Sequence, residues 1–227
     1  MTGPEPVVGV DGCRDGWVAV EWSGRRLSAE LVATLDRLVA RLRAGELAAL
    51  AIDMPIGLLD DRPRTCDIEA RKLLGPRRSS VFPAPVRATL PARDYDEACR
   101  LSREASGRAM SKQAFNLLGK IRQLDRLVEP ADQHRLVEAH PECAFLRLAG
   151  RPPAEPKRSG PGRAMRRRLL GSTDPAFERL LATSDLPPLD LADAAVLAIT
   201  ARHVAAGTEY RLGSDVDRTG LRAEIVY

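Results

Sequence analysis

The sequence predicts an α/β fold: one domain whose core begins β-β-β-α-β and which carries a helical insertion. Three observations point there. Short apolar, β-branched runs separated by turn residues open the chain, a helical period follows, and a continuous apolar stretch, Leu47 to Ile52, then stops at Asp53 and Pro55. The length of 227 residues exceeds the roughly 100–200 of a typical domain, which leaves room for an insertion within a single unit spanning residues 1–227.

Val7 to Asp11 reads as the first strand, because an apolar run ends there in the turn dipeptide Asp-Gly. Trp17 to Trp22 is the second, and Ser23-Gly24 turns the chain into a third, Arg26 to Val32. Leu35, Leu38, Val39 and Leu42 then recur at helical spacing, with Thr34 as N-cap and Gly45 as stop. Leu47 to Ile52 has the unbroken apolar character of a strand buried on both faces. From about residue 60 to 130 strand signals disappear. Arg64 to Leu74 is helical, Ser79 to Pro91 is a proline-punctuated loop, and Tyr95 to Leu127 is helical with Gly107 and Gly119 as interruptions. This is the expected insertion, packed on the sheet. Arg135 to Ala139 resumes as a strand closed by Pro141, and Glu142 to Leu148 forms a short helix. A basic mobile loop is expected at about 151–168, with helix at Arg166–Leu170 and at Pro175–Thr183. After a turn at Pro187-Pro188 the best-defined amphipathic helix runs from Leu191 to Ala206.

Lys plus Arg is 35 against 31 for Asp plus Glu, a net charge of +4 in a chain that is 44% hydrophobic. That excludes an acidic disordered tail protein and weakly favours anionic partners. Cys13, Cys66, Cys99 and Cys143 never form a C-x-x-C pair, which excludes a zinc ribbon and a thioredoxin motif. Each reads as a small buried hydrophobe. Met1 to Pro6 lacks the basic and apolar regions of a leader, and no segment reaches the ~20 apolar residues of a membrane span. A soluble cytoplasmic protein with reduced thiols, and no membrane partner, is therefore expected.

Four places can carry chemistry. Asp11 ends the first strand and shares a face with Gly9, whose missing side chain is expected to leave open space before the carboxylate. Read blandly, Asp11 caps a turn. Asp53 ends the buried strand at the sheet rim, where open α/β sheets bind ligands. Glu138 and His140 share one face of the next strand; a buried glutamate needs a counter-charge, and a lone histidine there is more often structural than a ligand or base. Asp190 and Asp193 lie on one face of the last helix's first turn, where ordinary capping accounts for Asp190. Val196, Leu197 and Thr200 place Asp193 on the core-facing side.

Acids at the ends of neighbouring elements repel, and stay ionised only with a counter-cation. Mg²⁺ or Mn²⁺ suits such a site: both prefer oxygen ligands, and two held ~3.5–4 Å apart can activate water and stabilise the leaving oxygen in phosphodiester cleavage. The expected metal ligands are Asp11, Asp53, Asp193 and Asp190. The cations fit an anionic substrate, with Arg71, Arg77, Arg78, Arg87, Lys157 and Arg163 as candidate phosphate contacts, although isolated charge runs are usually solvated surface. Only 4% of residues are aromatic, so broad base-stacking platforms are not expected.

Taken jointly and in order, Gly9-Val10-Asp11-Gly12-Cys13 with Gly16-Trp17, Ala51 to Leu58, Cys66-Asp67 with Ala70-Arg71 and Leu74-Gly75, Ser79 to Pro83, Glu138 to Glu142, and Asp193-Ala194 resemble the predicted ribonuclease H-like nuclease family, also called domain of unknown function 429. The likeness runs from about Val7 to Ala206. It implies a ribonuclease H-like fold and a carboxylate-bound divalent metal site, with Asp11 as the first-strand acid, Asp53 the fourth-strand acid and Asp193 the acid of the final helix. Similar sequences carry a double aspartate before that helix, where this chain has Leu189-Asp190.

The leading expectation is a Mg²⁺- or Mn²⁺-dependent nuclease acting on DNA or RNA, with Asp11, Asp53, Glu138 and Asp193 as its catalytic acids. One alternative is a non-catalytic nucleic-acid- or protein-binding module of the same fold. Another is a phosphotransferase like the actin-like sugar kinases, which need two such domains and normally a longer chain; neither a second copy nor a Gly-rich adenosine motif is present in the sequence.

Overall fold

The computed structural model describes residues 5–24 and 26–227; the reading of the first four residues lies outside it. β1 (Val7–Cys13), β2 (Gly16–Trp22) and β3 (Leu27–Val32) form an antiparallel meander, and after α1 (Asp36–Arg43) the chain returns as β4 (Ala49–Ile52), parallel to β1. α2 (Thr65–Leu74), α3 (Tyr95–Ser106) and α4 (Lys112–Leu127) make up the insertion, joined in part by 3-10 turns. Gly107, at φ +73°, ends α3, whereas Gly119 lies inside α4 without breaking it. β5 (Leu136–Glu138) then pairs parallel with β4, giving a five-stranded mixed sheet in the order β3-β2-β1-β4-β5. α5 (Pro141–Ala149), α6 (Gly160–Thr173), α7 (Pro175–Thr183) and α8 (Pro188–Ala206) follow, and β6 (Arg211–Val216) with β7 (Arg222–Val226) closes the chain as a hairpin.

Alternation along the strands divides the core in two. Val8 and Val10 of β1, with Leu50 and Ile52 of β4, pack on α1 and on Ile121 and Leu124 of α4. Val7, Ala49, Ala51 and Val137 face the other way, into a core with α5, α6, α7 and α8. The result is an α/β sandwich with helices on both faces of the sheet.

The position of α8 decides where the site forms. Its expected amphipathic character is not what the structure has: Leu191, Ala194, Val196, Leu197, Ala198 and Ala201 are all buried, because the helix is enclosed between the sheet and α5, α6 and α7. A buried helix is apolar around most of its circumference. Gly9 corrects a second expectation. The space before it is not open but filled by α8, since a Cβ there would lie 2.1 Å from the Ala198 nitrogen and 2.2 Å from the Ala194 oxygen. The missing side chain lets helix backbone touch strand backbone, which is a recurrent use of glycine in a strand.

Other differences are local. α1 begins at Asp36 rather than after Thr34, with Leu35 fully buried at its start. The loop expected through residue 168 ends at Ser159, whose hydroxyl accepts from the Gly162 amide and caps α6, with Pro161 in its first turn. The β6–β7 hairpin has no counterpart in the sequence reading. It lies against α2 and bridges β5 through Ala139 and Val226. No helix among the described residues is long and apolar enough to cross a membrane. All four cysteines are buried and free, in keeping with their spacing.

Candidate functional site

β1 and β4 run parallel with Val10 opposite Ile52, so the next residues come side by side: Asp53 just past the end of β4, and Asp11 still within β1, which stays paired with β2 as far as Cys13. The Asp53 amide donates to the Val10 carbonyl at 2.9 Å and fixes that register. The close approach at Gly9 brings in α8, whose Asp193 is 1% exposed. Asp190, one turn earlier and half-buried, completes the group. All four carboxylates line one cavity of about 510 Å³.

Their electrostatics follow from that crowding. Burial, and then the charges of Asp53 and Asp193, hold the Asp11 carboxyl well above the usual carboxylate range. Asp53 and Asp193 are each pushed up to about 6, first by burial, with Lys157 pulling the other way. Burial also raises Asp190. The Lys157 ammonium, on the loop before α6, sits 2.5 Å from Asp193 Oδ2. Burial opposes its charge, but Asp193, Asp11 and Asp53 outweigh that and raise its pKa.

Glu142 joins this wall, a position the strand pattern of Glu138 and His140 does not reveal. It is 4% exposed and lines the cavity. One of its oxygens, Oε1, accepts from the Arg166 guanidinium, while Oε2 is buried without a hydrogen-bond partner. Its charge raises both Asp53 and Asp193. Pro141 at the first turn of α5 is the legible signal: it starts a helix there, and a helix start turns Glu142 toward the strand ends.

The donor chemistry fits a hard divalent cation: oxygen ligands only, mutual repulsion that a cation relieves, and an orphaned buried carboxylate oxygen in the same wall. Among the described residues, no group of three or more His, Cys, Asp or Glu side chains is arranged so as to hold a metal ion as it stands. Asp193 is instead held by Lys157, so coordination requires that ion pair to open.

Several expected site residues lie elsewhere. Glu138 is bonded at both oxygens by Arg64, at 2.6 and 2.8 Å, and also accepts from the Ile56 amide at 2.7 Å. It does not line the cavity; Arg64 is the counter-charge that a buried glutamate needs. His140 accepts from the Glu142 amide at Nδ1 and reaches the Ser80 carbonyl from Nε2, which fixes a neutral ring; burial, the largest influence, lowers its pKa. Both ring nitrogens are occupied, so neither is free for a metal or a substrate proton.

The cations divide similarly. Arg87 is buried and paired with Asp125 and Asp217, which corrects its expected role at a phosphate. Arg71 is a brace, donating to the carbonyls of Arg78 and Val81. Arg77 and Arg78 sit on the 3-10 turn just before Ser79 and Ser80, which line the cavity while the two arginines do not. Lys157 and Arg163 border Asp193 from the loop and from α6, as candidates for anion contact. Arg158 is exposed at the cavity wall, a place its charge run alone does not distinguish.

No curated protein and no solved structure matches this chain. Residues 9–218, which include every carboxylate of the cavity, match the family described as protein of unknown function (DUF429), and the chain belongs to that family.

Proposed function

We propose that the protein is a Mg²⁺- or Mn²⁺-dependent nuclease of ribonuclease H-like fold, hydrolysing phosphodiester bonds in a nucleic acid. The observation that carries this reading is the gathering of Asp11, Asp53 and Asp193, from β1, the end of β4 and α8, on one cavity where burial raises all three, with added repulsion from Asp53 and Asp193 on Asp11, from Glu142 on Asp53, and from Asp53 and Glu142 on Asp193. The β-β-β-α-β start and the mixed sheet order support the fold assignment.

Asp11, Asp53 and Asp193 would hold the metal, with Asp190 at the edge of the site. A bound pair of ions would activate water and stabilise the departing oxygen. The protein's own part is to concentrate negative charge in a walled cavity and to bring in the phosphate. Lys157, Arg158 and Arg163 stand beside the acids and meet an incoming phosphodiester. Glu142 adds negative charge next to Asp53 and Asp193, which strengthens cation binding. Neutral His140 ties the Ser80 loop to the strand ends and keeps the cavity wall in place.

Panels of DNA and RNA substrates, incubated with wild type and Asp11→Asn in Mg²⁺ or Mn²⁺, test this. Cleavage by wild type that EDTA abolishes and the variant lacks is expected. Equal cleavage by both proteins would remove the mechanism, and tight binding unaffected by EDTA with no turnover would make the domain a non-catalytic module.

A further inference from the structure

The carboxylates lie on the floor of a walled cavity, not on an open ridge. One wall is the insertion's loop at Ser79, Ser80 and Phe82. That loop is fastened from two sides, by the Arg71 guanidinium on the Arg78 and Val81 carbonyls and by His140 Nε2 at 3.3 Å from the Ser80 carbonyl. α4 supplies a second wall with Gln113 and Leu117, and Lys157 with Arg158 a third. A volume of about 510 Å³ is in the range of sites that engulf a single small molecule.

A second space continues from the first. A groove of about 760 Å³ runs between the β1–β2 turn and α4, sharing Gly12, Leu117 and Asp190 with the acidic cavity. On α4, Gln113, Asn116, Leu117, Lys120 and Gln123 recur at helical spacing along this side, flanking the buried face of Ala114, Leu118, Ile121 and Leu124. The stripe contains amides and a cation but no acid, and spans roughly 15 Å at 1.5 Å per residue. The Lys120 stem crosses Gly12, where a Cβ would come within 3.1 Å of its Cδ. Its ammonium stands 5.1 Å from the centre of the Trp17 ring. Lys120 takes part in none of the ion pairs found among the described residues, and its ammonium faces the Trp17 ring at the groove.

We propose that the cavity and the groove form one track for a single strand of nucleic acid, with a base beside the scissile phosphate packed on Phe82 and the neighbouring phosphate held by Lys120. The inference rests on the nuclease reading and adds its substrate class. A duplex brings its second strand with it and keeps its bases stacked, whereas walls from three elements leave passage for one strand with an unstacked base. One half-buried ring is enough for one base, in keeping with the few aromatics of the chain.

The test is equilibrium binding of short labelled DNA and RNA oligonucleotides, single-stranded and as duplexes, in Ca²⁺ in place of Mg²⁺. Single strands are expected to bind roughly tenfold or more tightly than duplexes of the same sequence. Phe82→Ala should weaken single-strand binding by roughly tenfold, the scale of one base–aromatic stack. Phe82→Leu, which keeps an apolar side chain at that position, should weaken it similarly if the ring is what matters. Lys120→Met should lower the slope of log affinity against log salt by about 0.7, the value of one phosphate contact on a single strand. Duplexes bound as well as single strands, or variants indistinguishable from wild type, would overturn the track. If that happens while metal-dependent cleavage persists, the nuclease reading survives; if no oligonucleotide binds and none is cleaved, both fall.

Discussion

Replacing one of the clustered acids by its neutral isostere should make the protein more stable, in a way that depends on pH. Asp53 is the cleanest case, because its carboxyl is raised from the usual 3.8 to about 6, with burial as the largest cause. A tenfold change in proton affinity between the folded and unfolded states is worth ~1.36 kcal/mol, so ionised Asp53 weakens the folded state by about 3 kcal/mol at pH 8. The folded-state pKa lies above the unfolded one, so the folded protein binds the extra proton. Stability from this group is therefore full below the unfolded value and is lost as pH rises through about 6. Asp53→Asn removes the charge. In metal-free buffer at pH 8 it should raise Tm by roughly 6–12 °C, taking ~2–4 °C per kcal/mol for a chain of this size. At pH 4 the gain should nearly vanish. Thermal unfolding of both proteins across that range, with EDTA present, measures it. A variant that is less stable than wild type at pH 8, or equally stabilised at both pH values, would refute the idea that burying the Asp53 charge strains the site.

Two further outcomes follow from the packing. Gly9→Ala would drive a Cβ against the Ala194 and Ala198 backbone, so α8 must move; a loss of about 1–3 kcal/mol in urea denaturation is expected from overpacking, together with weaker Mn²⁺ binding as Asp193 shifts from Asp11. Arg64→Met would leave Glu138 and Asp67 buried without their cation, and removing one partner of a buried pair should cost about 3–5 kcal/mol by the same measurement.

The part of the site built by local sequence is readable from the residues themselves. Apolar runs ending in Asp11 and Asp53 mark where the acids fall on the two neighbouring strands, although β1 continues past Asp11 to Cys13, and an acid on the core side of an apolar helix marks Asp193. What is not readable depends on distant partners. Glu138 looks like a site acid until Arg64, 74 residues away, is seen to bond it. Arg87 looks like a phosphate ligand until Asp217, 130 residues on, neutralises it. Proximity in the chain says little about which buried charge finds which counter-ion. The β6–β7 hairpin is hidden for a different reason. A register shift between Leu212 and Asp215 breaks its alternation, and β6 is mostly half-exposed with few apolar residues. Lys120 is hidden because its role depends on the stem lying across Gly12, a contact made only when α4 folds back over the β1–β2 turn.

Crystals soaked in Mn²⁺ and measured at the manganese absorption edge test the central claim most directly. An anomalous peak bounded by the carboxylates of Asp11, Asp53 and Asp193, with the Lys157 ammonium moved off Asp193, is the expected result. An intact Lys157–Asp193 pair with no manganese between the three aspartates would contradict it.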